Sequence, residues 1–213
     1  MGTIKKGILG GFSGKVGTVV GANWKNISYI RSLPQNMKNP RTLGQRKQRG
    51  KFALVVALLK PLTAFLRIGW KLHARNQSPF NAAMSHVLNN AITGTFPNFE
   101  INLSKIRVSV GSLPPPLNPA TSGMGRVVTI TWENNSQIGT AQPTDKALIV
   151  LLNPQKGEAI TVTAGAERSA GTHGAIDLPS HWASDEVHTY LGFISDNGKE
   201  VSNSLYLGKN VYA

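Results

Sequence analysis

The 213-residue sequence contains no cysteine, so disulfide bonds, thiolate metal sites and cysteine nucleophiles are excluded together. It also contains no aspartate or glutamate before Glu100. No stretch has the roughly 20 apolar residues of a membrane span, and the N-terminal part lacks the continuous apolar core of a signal peptide. We therefore expect no transmembrane segment and a location in the cytoplasm or within an assembly, with signal-less export left open.

The positive charge is confined to one part of the chain. Fifteen lysines and arginines precede Glu100, whereas the residues from 100 onward include eight basic and ten acidic side chains. The net charge of +13 is thus the sum of +15 for residues 1–99 and −2 for residues 100–213. Because ordinary surfaces mix both signs, the acid-free part predicts a polyanionic partner: nucleic acid, an anionic lipid surface or an acidic polysaccharide. A basic domain that docks on an acidic protein is the alternative.

The glycine-rich stretch GILGGFSGKVGTVVG covers residues 7–21. It is not a phosphate-binding P-loop, because the glycine spacing before Lys15 is one residue short and Val16 replaces the required serine or threonine. The β-favouring runs Val16–Trp24 and Ile27–Arg31 instead predict a glycine-rich arm that enters a β-hairpin, with its turn at residues 25–26.

This hairpin interleaves basic and aromatic residues, a combination that suits phosphate contacts and base stacking. The expected polyanion contacts are Lys15, Lys25 and Arg31. The expected stacking residues are Trp24 and Tyr29. In the alternative interpretation, the two aromatic side chains simply pack inward on a helix.

A long basic helix is expected next. Thr42 and Gln45 form a capping box, so the helix should run from Leu43 toward Leu59, and Pro61 should kink it or start a second segment. At 100° per residue, six cations fall within an arc of roughly 80° if the phase survives Pro61. These expected polyanion contacts are Arg46, Arg49, Lys60, Arg67, Lys71 and Arg75. An ordinary solvated face is the alternative.

Ser78 and Pro79 predict the start of another helix, and residues 100–110 alternate as a strand. The proline-rich stretch LPPPLNP at 113–119 is typical of a stiff linker. The chain therefore divides, as an expectation, into a basic hairpin-plus-helix domain at 1–112, a linker at 113–125 and a β-domain at 126–213.

Beyond residue 125, six or seven short strands separated by turn signals predict a sandwich. Trp132 early, Tyr190 late and a hairpin turn at Asp196 make this part similar to an immunoglobulin or fibronectin type III-like module. The fold class is therefore α+β, with an N-terminal hairpin and helices followed by an all-β sandwich.

The pattern GxFSGKVG…VVG…WK…YxRSxP, followed by a basic segment and an apolar helix, resembles an uncharacterised bacterial family described as a domain of unknown function. The resemblance covers essentially the whole chain and implies no activity, cofactor or catalytic residue.

One cluster has residue types that could form an active site: His173, Asp177, His181, Asp185, Glu186 and His188. Their spacing matches no zinc-ligand pattern, and a surface turn accounts for them. Ser169, His173 and Asp177 have the residue types of a catalytic triad but no nucleophile elbow. We therefore expect a non-enzyme without cofactor or metal.

Two functions fit these observations. The first is a protein whose basic part contacts nucleic acid or another polyanion without sequence preference, while its sandwich mediates protein contacts. The second is a self-assembling subunit of a particle, filament or surface layer, with the glycine-rich arm and hairpin added to a neighbour's sheet edge. A binder of acidic polysaccharide or of a cell surface is a further alternative.

Overall fold

The computed structural model describes residues 2–4, 7, 10–24, 27–35, 39–74 and 77–212, apart from the side chains of Trp24 and Met124. The chain divides into two compact units, one ending at Thr42 and one beginning at Leu43. The fold is α+β: a small N-terminal sheet, a helical region, and a β-rich part with antiparallel sheets.

The first unit is a four-stranded antiparallel sheet with the strands in chain order. The strands are β1 (Thr3–Ile4), β2 (Phe12–Val16), β3 (Val19–Trp24) and β4 (Ile27–Ser32). Gly21 of β3 must be glycine, because a Cβ there would collide with the backbone carbonyl of Phe12. The opening glycines thus serve close backbone packing in a sheet, as the sequence predicts.

This first sheet has almost no core of its own. Its described part supplies no buried hydrophobic side chain, and Ile27 and Ile30 on β4 are 62% and 63% exposed. Successive side chains of a strand point to opposite faces, so apolar groups meet solvent on both sides of the sheet.

The second unit begins with helices α1 (Leu43–Leu59), α2 (Thr63–Gly69) and α3 (Pro79–Asn90). The predicted first helix is confirmed at both ends, and Lys60–Leu62 forms a single 3-10 turn around Pro61 rather than a break. Ser78 caps α3, because its Oγ accepts a hydrogen bond from the Asn81 N–H at 3.2 Å.

The stretch Leu43–Gly69 is long and apolar enough to cross a membrane by length and composition, with a mean hydropathy of 1.8 in its most apolar window. This stretch differs from the expectation that no segment is apolar enough for a membrane span. The core helix of a soluble protein meets the same criterion, and 33% of the window is buried inside the protein. Here Val55, Leu59, Leu62 and Phe65 are buried in the protein core.

A short hairpin follows, with β5 (Ile92–Thr95) paired to β6 (Asn98–Ile101). The strand expected over 100–110 therefore pairs only at its beginning. Its remainder bonds elsewhere: the Val110 N–H donates to the Gly69 carbonyl at 2.9 Å, and the Val108 N–H donates to Ser204 Oγ at 2.9 Å.

The remaining seven strands form two antiparallel sheets of the predicted sandwich. One sheet has the order β11-β8-β7 and the other the order β10-β9-β12-β13. The strands are β7 (Leu117–Met124), β8 (Val127–Glu133), β9 (Lys146–Asn153), β10 (Glu158–Val162), β11 (Thr172–Asp177), β12 (Glu186–Ile194) and β13 (Leu205–Val211).

Strand β9 is buried on both faces, with only its first residue partly exposed. Leu148, Val150 and Leu152 belong to the hydrophobic cluster that holds the three helices. Ala147, Ile149 and Leu151 alternate with them and belong to the cluster between the two sheets. Three layers therefore follow one another in the second unit: the helices, the sheet β10-β9-β12-β13 and the sheet β11-β8-β7.

The expected division at residues 113–125 differs from the observed one. The end of the proline segment, from Leu117, belongs to β7, and Leu113 is buried in the core between the sheets. The boundary of the compact units instead follows Thr42. The physical reason is that the helices and the three-stranded sheet pack on opposite faces of the same strand, β9. Elements that share a strand in this way cannot belong to separate domains.

A buried ion pair fastens the proline segment to the sandwich. Arg168 is fully buried, and its Nε donates to Asp145 Oδ2 at 3.0 Å. Its other nitrogens donate to Asn135 Oδ1 and, at 3.0 Å, to the Pro114 carbonyl. The guanidinium also stacks 3.9 Å from the Phe193 ring centroid. A charge buried this deeply requires such complete pairing.

Replacing Leu151 with alanine should lower the free energy of unfolding by about 2–5 kcal/mol, because it leaves a cavity in the core between the sheets. Since β9 also holds the helices, native-state hydrogen exchange should accelerate in α3 together with β8. Leu117→Ala, at a half-exposed position, is the control and should change the stability by less than about 1 kcal/mol. Strands that lose protection while α3 keeps it would contradict the shared core.

Candidate polyanion interface

Two of the predicted cations lie in one row across the N-terminal sheet. Lys15 of β2 is opposite Val20, and Val20 is opposite Arg31 of β4. Residues that are directly opposite share a face, so both cations project from the same side, roughly 10 Å apart by two strand spacings. Both are exposed, whereas Lys25 lies outside the described residues.

Tyr29 extends this row toward a stacking surface. It precedes Arg31 by two residues on β4 and therefore lies on the same face. Its side chain is 44% exposed, which contradicts the interpretation that it packs inward. Trp24 pairs in register with Ile27, and its side chain lies outside the described part.

The helical cations form a longer surface on the second unit. The residues at 46, 49, 53, 57, 60, 64, 67 and 71 are all exposed and follow one another at intervals of three or four. The 3-10 turn at Pro61 therefore preserves the helical phase. We call this surface the basic face; its exposed members are Arg46, Arg49, Ala53, Ala57, Lys60, Ala64, Arg67 and Lys71.

The basic face is long and carries no bulky side chain between its cations. From Arg46 to Lys71 it extends about 37 Å at the rise of an α-helix. The positions between the charges are alanines, so a partner can approach closely. Arg75, the last predicted member, lies outside the described residues.

The cations of α1 lie where they oppose helix stability. Arg46, Lys47, Arg49 and Lys51 all fall in its N-terminal half, and its first turn contains no acid. The N-terminus of a helix is the positive end of its dipole, so each nearby cation costs up to about 1 kcal/mol, less with each turn inward. This arrangement is unfavourable for the isolated helix and favourable for binding an anion.

Two of these cations lie over aromatic rings of the β5–β6 hairpin. Arg46 is 5.9 Å from the Phe96 ring centroid, and Lys51 is 5.1 Å from that of Phe99. Phe99 lies beside α1 at Gly50, where an added Cβ would be 3.8 Å from its ring, an ordinary van der Waals contact. Sequence reasoning missed Lys51 and both rings, because only the pair of phenylalanines in FPNF hints at them and the helix that they meet is distant in sequence.

Five of the ten acids are paired within the β-rich part of the chain. The ion pairs of Asp145, Glu158, Glu167, Asp185 and Glu186 all join side chains between positions 145 and 209. Lys209 Nζ, for instance, is 2.6 Å from Glu186 Oε1. Within the described part, no acid forms an ion pair with Lys15, Arg31, Arg46, Lys60, Arg67 or Lys71.

The histidines and acids between 173 and 188 have separate local roles. The His173 Nδ1 accepts from the Ala166 N–H at 3.1 Å, and His188 Nδ1 lies 2.9 Å from the Tyr206 hydroxyl. Burial lowers the pKa of both imidazoles. Among the described residues, no group of three or more His, Asp or Glu side chains is placed to hold a metal ion.

Glu158 is a further example of such local pairing. It accepts hydrogen bonds from Trp182 Nε1 and lies against His181 Nε2, each at 2.7 Å. The bond from Trp182 and then that from His181 hold the pKa of the Glu158 carboxyl below its usual value. Both contacts keep the loop at residues 180–182 beside β10.

Comparison with known proteins agrees with the expectation from the N-terminal motif. A family model described as a family of unknown function (DUF6266) matches residues 11–208. No curated protein and no solved structure matches the chain.

Lys47→Glu should raise the free energy of unfolding by about 0.5–1 kcal/mol at low salt. The change removes a cation near the N-terminus of α1 and converts the like-charge pair Lys47–Lys51 into an attractive one at i, i+4. Urea denaturation at low salt and in 1 M NaCl measures the effect, which salt should reduce. The matched control is Lys199→Glu, in the turn after β12. A destabilised Lys47→Glu variant would show that this lysine is not electrostatically unfavourable.

Proposed function

The chain belongs to the DUF6266 family, whose function is unknown, and we propose that it is a non-catalytic binding protein. The basic part of the chain before Glu100 contacts the phosphates of nucleic acid and does not recognise the base sequence. Its β-sandwich mediates protein contacts. The observation that carries this proposal is the exposed basic face, on which no acid occurs.

The dimensions of the basic face support a nucleic-acid partner. Its length of about 37 Å is close to one turn of duplex DNA, which spans roughly 34–36 Å. Lysine and arginine side chains along such a face neutralise phosphates and release their counterions. The alanines between them allow the sugar–phosphate backbone to lie against the helix.

Aromatic groups beside the cations favour nucleic acid over an acidic polysaccharide. Tyr29 is exposed next to Arg31, and Phe96 and Phe99 lie beneath Arg46 and Lys51. An exposed ring such as that of Tyr29 stacks on bases of any identity, which gives binding without sequence preference. The sequence also lacks zinc-finger spacing and the RNP motifs of base-reading modules.

The dependence of DNA-binding affinity on salt concentration tests this proposal. The double variant Arg67→Gln with Lys71→Gln should weaken binding to random-sequence DNA and reduce the slope of log K against log salt by about 1.4–1.8, at 0.7–0.9 per lost phosphate contact. Fluorescence anisotropy over a salt series provides the measurement.

The matched control is Arg126→Gln with Lys199→Gln, which removes the same charge from two turns of the β-sandwich. Its slope should stay within error of the unmodified protein. Salt-independent binding, or equal losses in both double variants, would refute contact through the basic face.

A second candidate function rests on the first sheet. Its strands expose apolar side chains on both faces, and an isolated sheet with so little buried surface is marginally stable in water. Strand β4 is also an edge strand, and its outer hydrogen-bonding groups are available for a neighbouring strand. A self-assembling subunit would use this sheet to join adjacent copies.

For this second function, Ile27→Ser combined with Ile30→Ser should lower the average mass measured by analytical ultracentrifugation, because it removes apolar surface from both faces of β4. Val211→Ser, at a position that is also 62% exposed but lies at the end of β13, is the control. A protein that is strictly monomeric at high concentration would rule out the assembly.

A further inference from the structure

We propose that a cleft between the end of α3 and the start of β13 binds a phosphomonoester group. The cleft has a volume of about 440 Å³. Its lining includes His86 and Asn90 of α3, Lys105 and Arg107 from the segment after β6, and Tyr206 of β13. The site lies outside the basic face, and its two cations follow Glu100, in the part of the chain that carries acids. It does not depend on the function proposed above.

Two cations give the cleft its charge. Lys105 ends a 3-10 turn at residues 103–105, and Arg107 follows two residues later. Both are exposed and take part in no ion pair among the described residues. Glu186, whose charge reaches Tyr206, is already bound to Lys209 Nζ at 2.6 Å. A dianionic group in the cleft would therefore meet two positive side chains, while the Glu186 carboxylate is paired with Lys209.

His86 supplies a neutral donor beside these cations. Its Nδ1 is buried and has no hydrogen-bond partner in the described part of the chain. Burial, and then the charge of Arg107, lower the pKa of the imidazole, so the ring is neutral at pH 7. A buried N–H without an acceptor is costly, which favours the tautomer with its proton on Nε2, where it can be donated to an oxyanion.

The walls of the cleft are fixed before any ligand arrives. Trp70 connects two of them, because its ring lies 5.5 Å from that of His86 and its Nε1 donates to the Arg107 carbonyl at 3.2 Å. The Val108 and Ser109 N–H groups both donate to Ser204 Oγ, at 2.9 and 3.3 Å. Such bonds hold the segment that bears the cations, and a preorganised site loses less entropy on binding.

The chemistry of the cleft selects the ligand class. Arginine and lysine together bind the several oxygens of a phosphate, and a neutral histidine adds a donor without further charge. A volume of about 440 Å³ lies within the range of small-molecule sites and exceeds the space that one phosphate needs. The phosphomonoester can belong to a small molecule such as a nucleotide or to the 5′ end of a nucleic-acid strand.

Titration of the full chain with inorganic phosphate at low ionic strength, followed by calorimetry and by NMR of the histidine ring signals, tests the site. One saturable binding event should shift the His86 signals, and Arg107→Gln should weaken it by about tenfold or more, as expected for one charge-assisted contact. Arg126→Gln, which removes an equal charge from the β7–β8 turn, should change the affinity less than twofold. Both arginines are exposed, and the thermal unfolding of the variants checks that they fold.

Two further titrations identify the source of the phosphate. Tighter binding of a 5′-phosphorylated oligonucleotide than of its unphosphorylated form, lost in Arg107→Gln, assigns the site to strand ends. Binding of a nucleoside monophosphate without that difference assigns it to small molecules. Absence of saturable phosphate binding, or equal weakening by Arg107→Gln and Arg126→Gln, would overturn the proposal. Neither result bears on the salt dependence attributed to Arg67 and Lys71, so the two proposals fail separately.

Discussion

The burial of strand β9 on both faces is the constraint on which the second unit depends. Leu148 and Val150 point into one core and Ile149 and Leu151 alternate into the other, so the strand is buried beyond its first residue. The helices must cover one side and the three-stranded sheet the other. The apolar faces of α1 and α2 pack against this strand. Their opposite faces are therefore exposed to solvent, and the cations lie on these exposed faces.

The distribution of charge follows from the same architecture. Five acids of the sandwich pair with nearby cations, as Glu186 does with Lys209, and none of these pairs reaches the helices. Like charges such as Arg67 and Lys71, four residues apart, therefore repel each other along the helices. Proteins retain such locally unfavourable arrangements mainly at functional sites, and this is the physical basis for assigning the basic face to a partner of opposite charge.

Local signals in the sequence predicted much of this fold. The capping box at Thr42 and the cap at Ser78 marked helix starts, and turn signals between short β-favouring runs marked the sandwich. The prediction of a linker at 113–125 was wrong. Leu113 and Pro114 contact side chains that are distant in sequence, and composition alone does not reveal such contacts. The rings beneath Arg46 and Lys51 and the cleft at Arg107 were missed for the same reason, since they arise only when separate elements pack together.

The guanidinium of Arg168 has a consequence for how the chain can be dissected. Its charge is permanent, and part of its solvation is replaced by the Pro114 carbonyl, which lies ahead of the sandwich strands. A fragment starting at residue 126 would remove that acceptor together with all of β7. Arg168 would then be a buried cation with an unfilled donor, beside a sheet reduced to two strands. The smallest autonomous piece of the second unit therefore reaches back through the prolines.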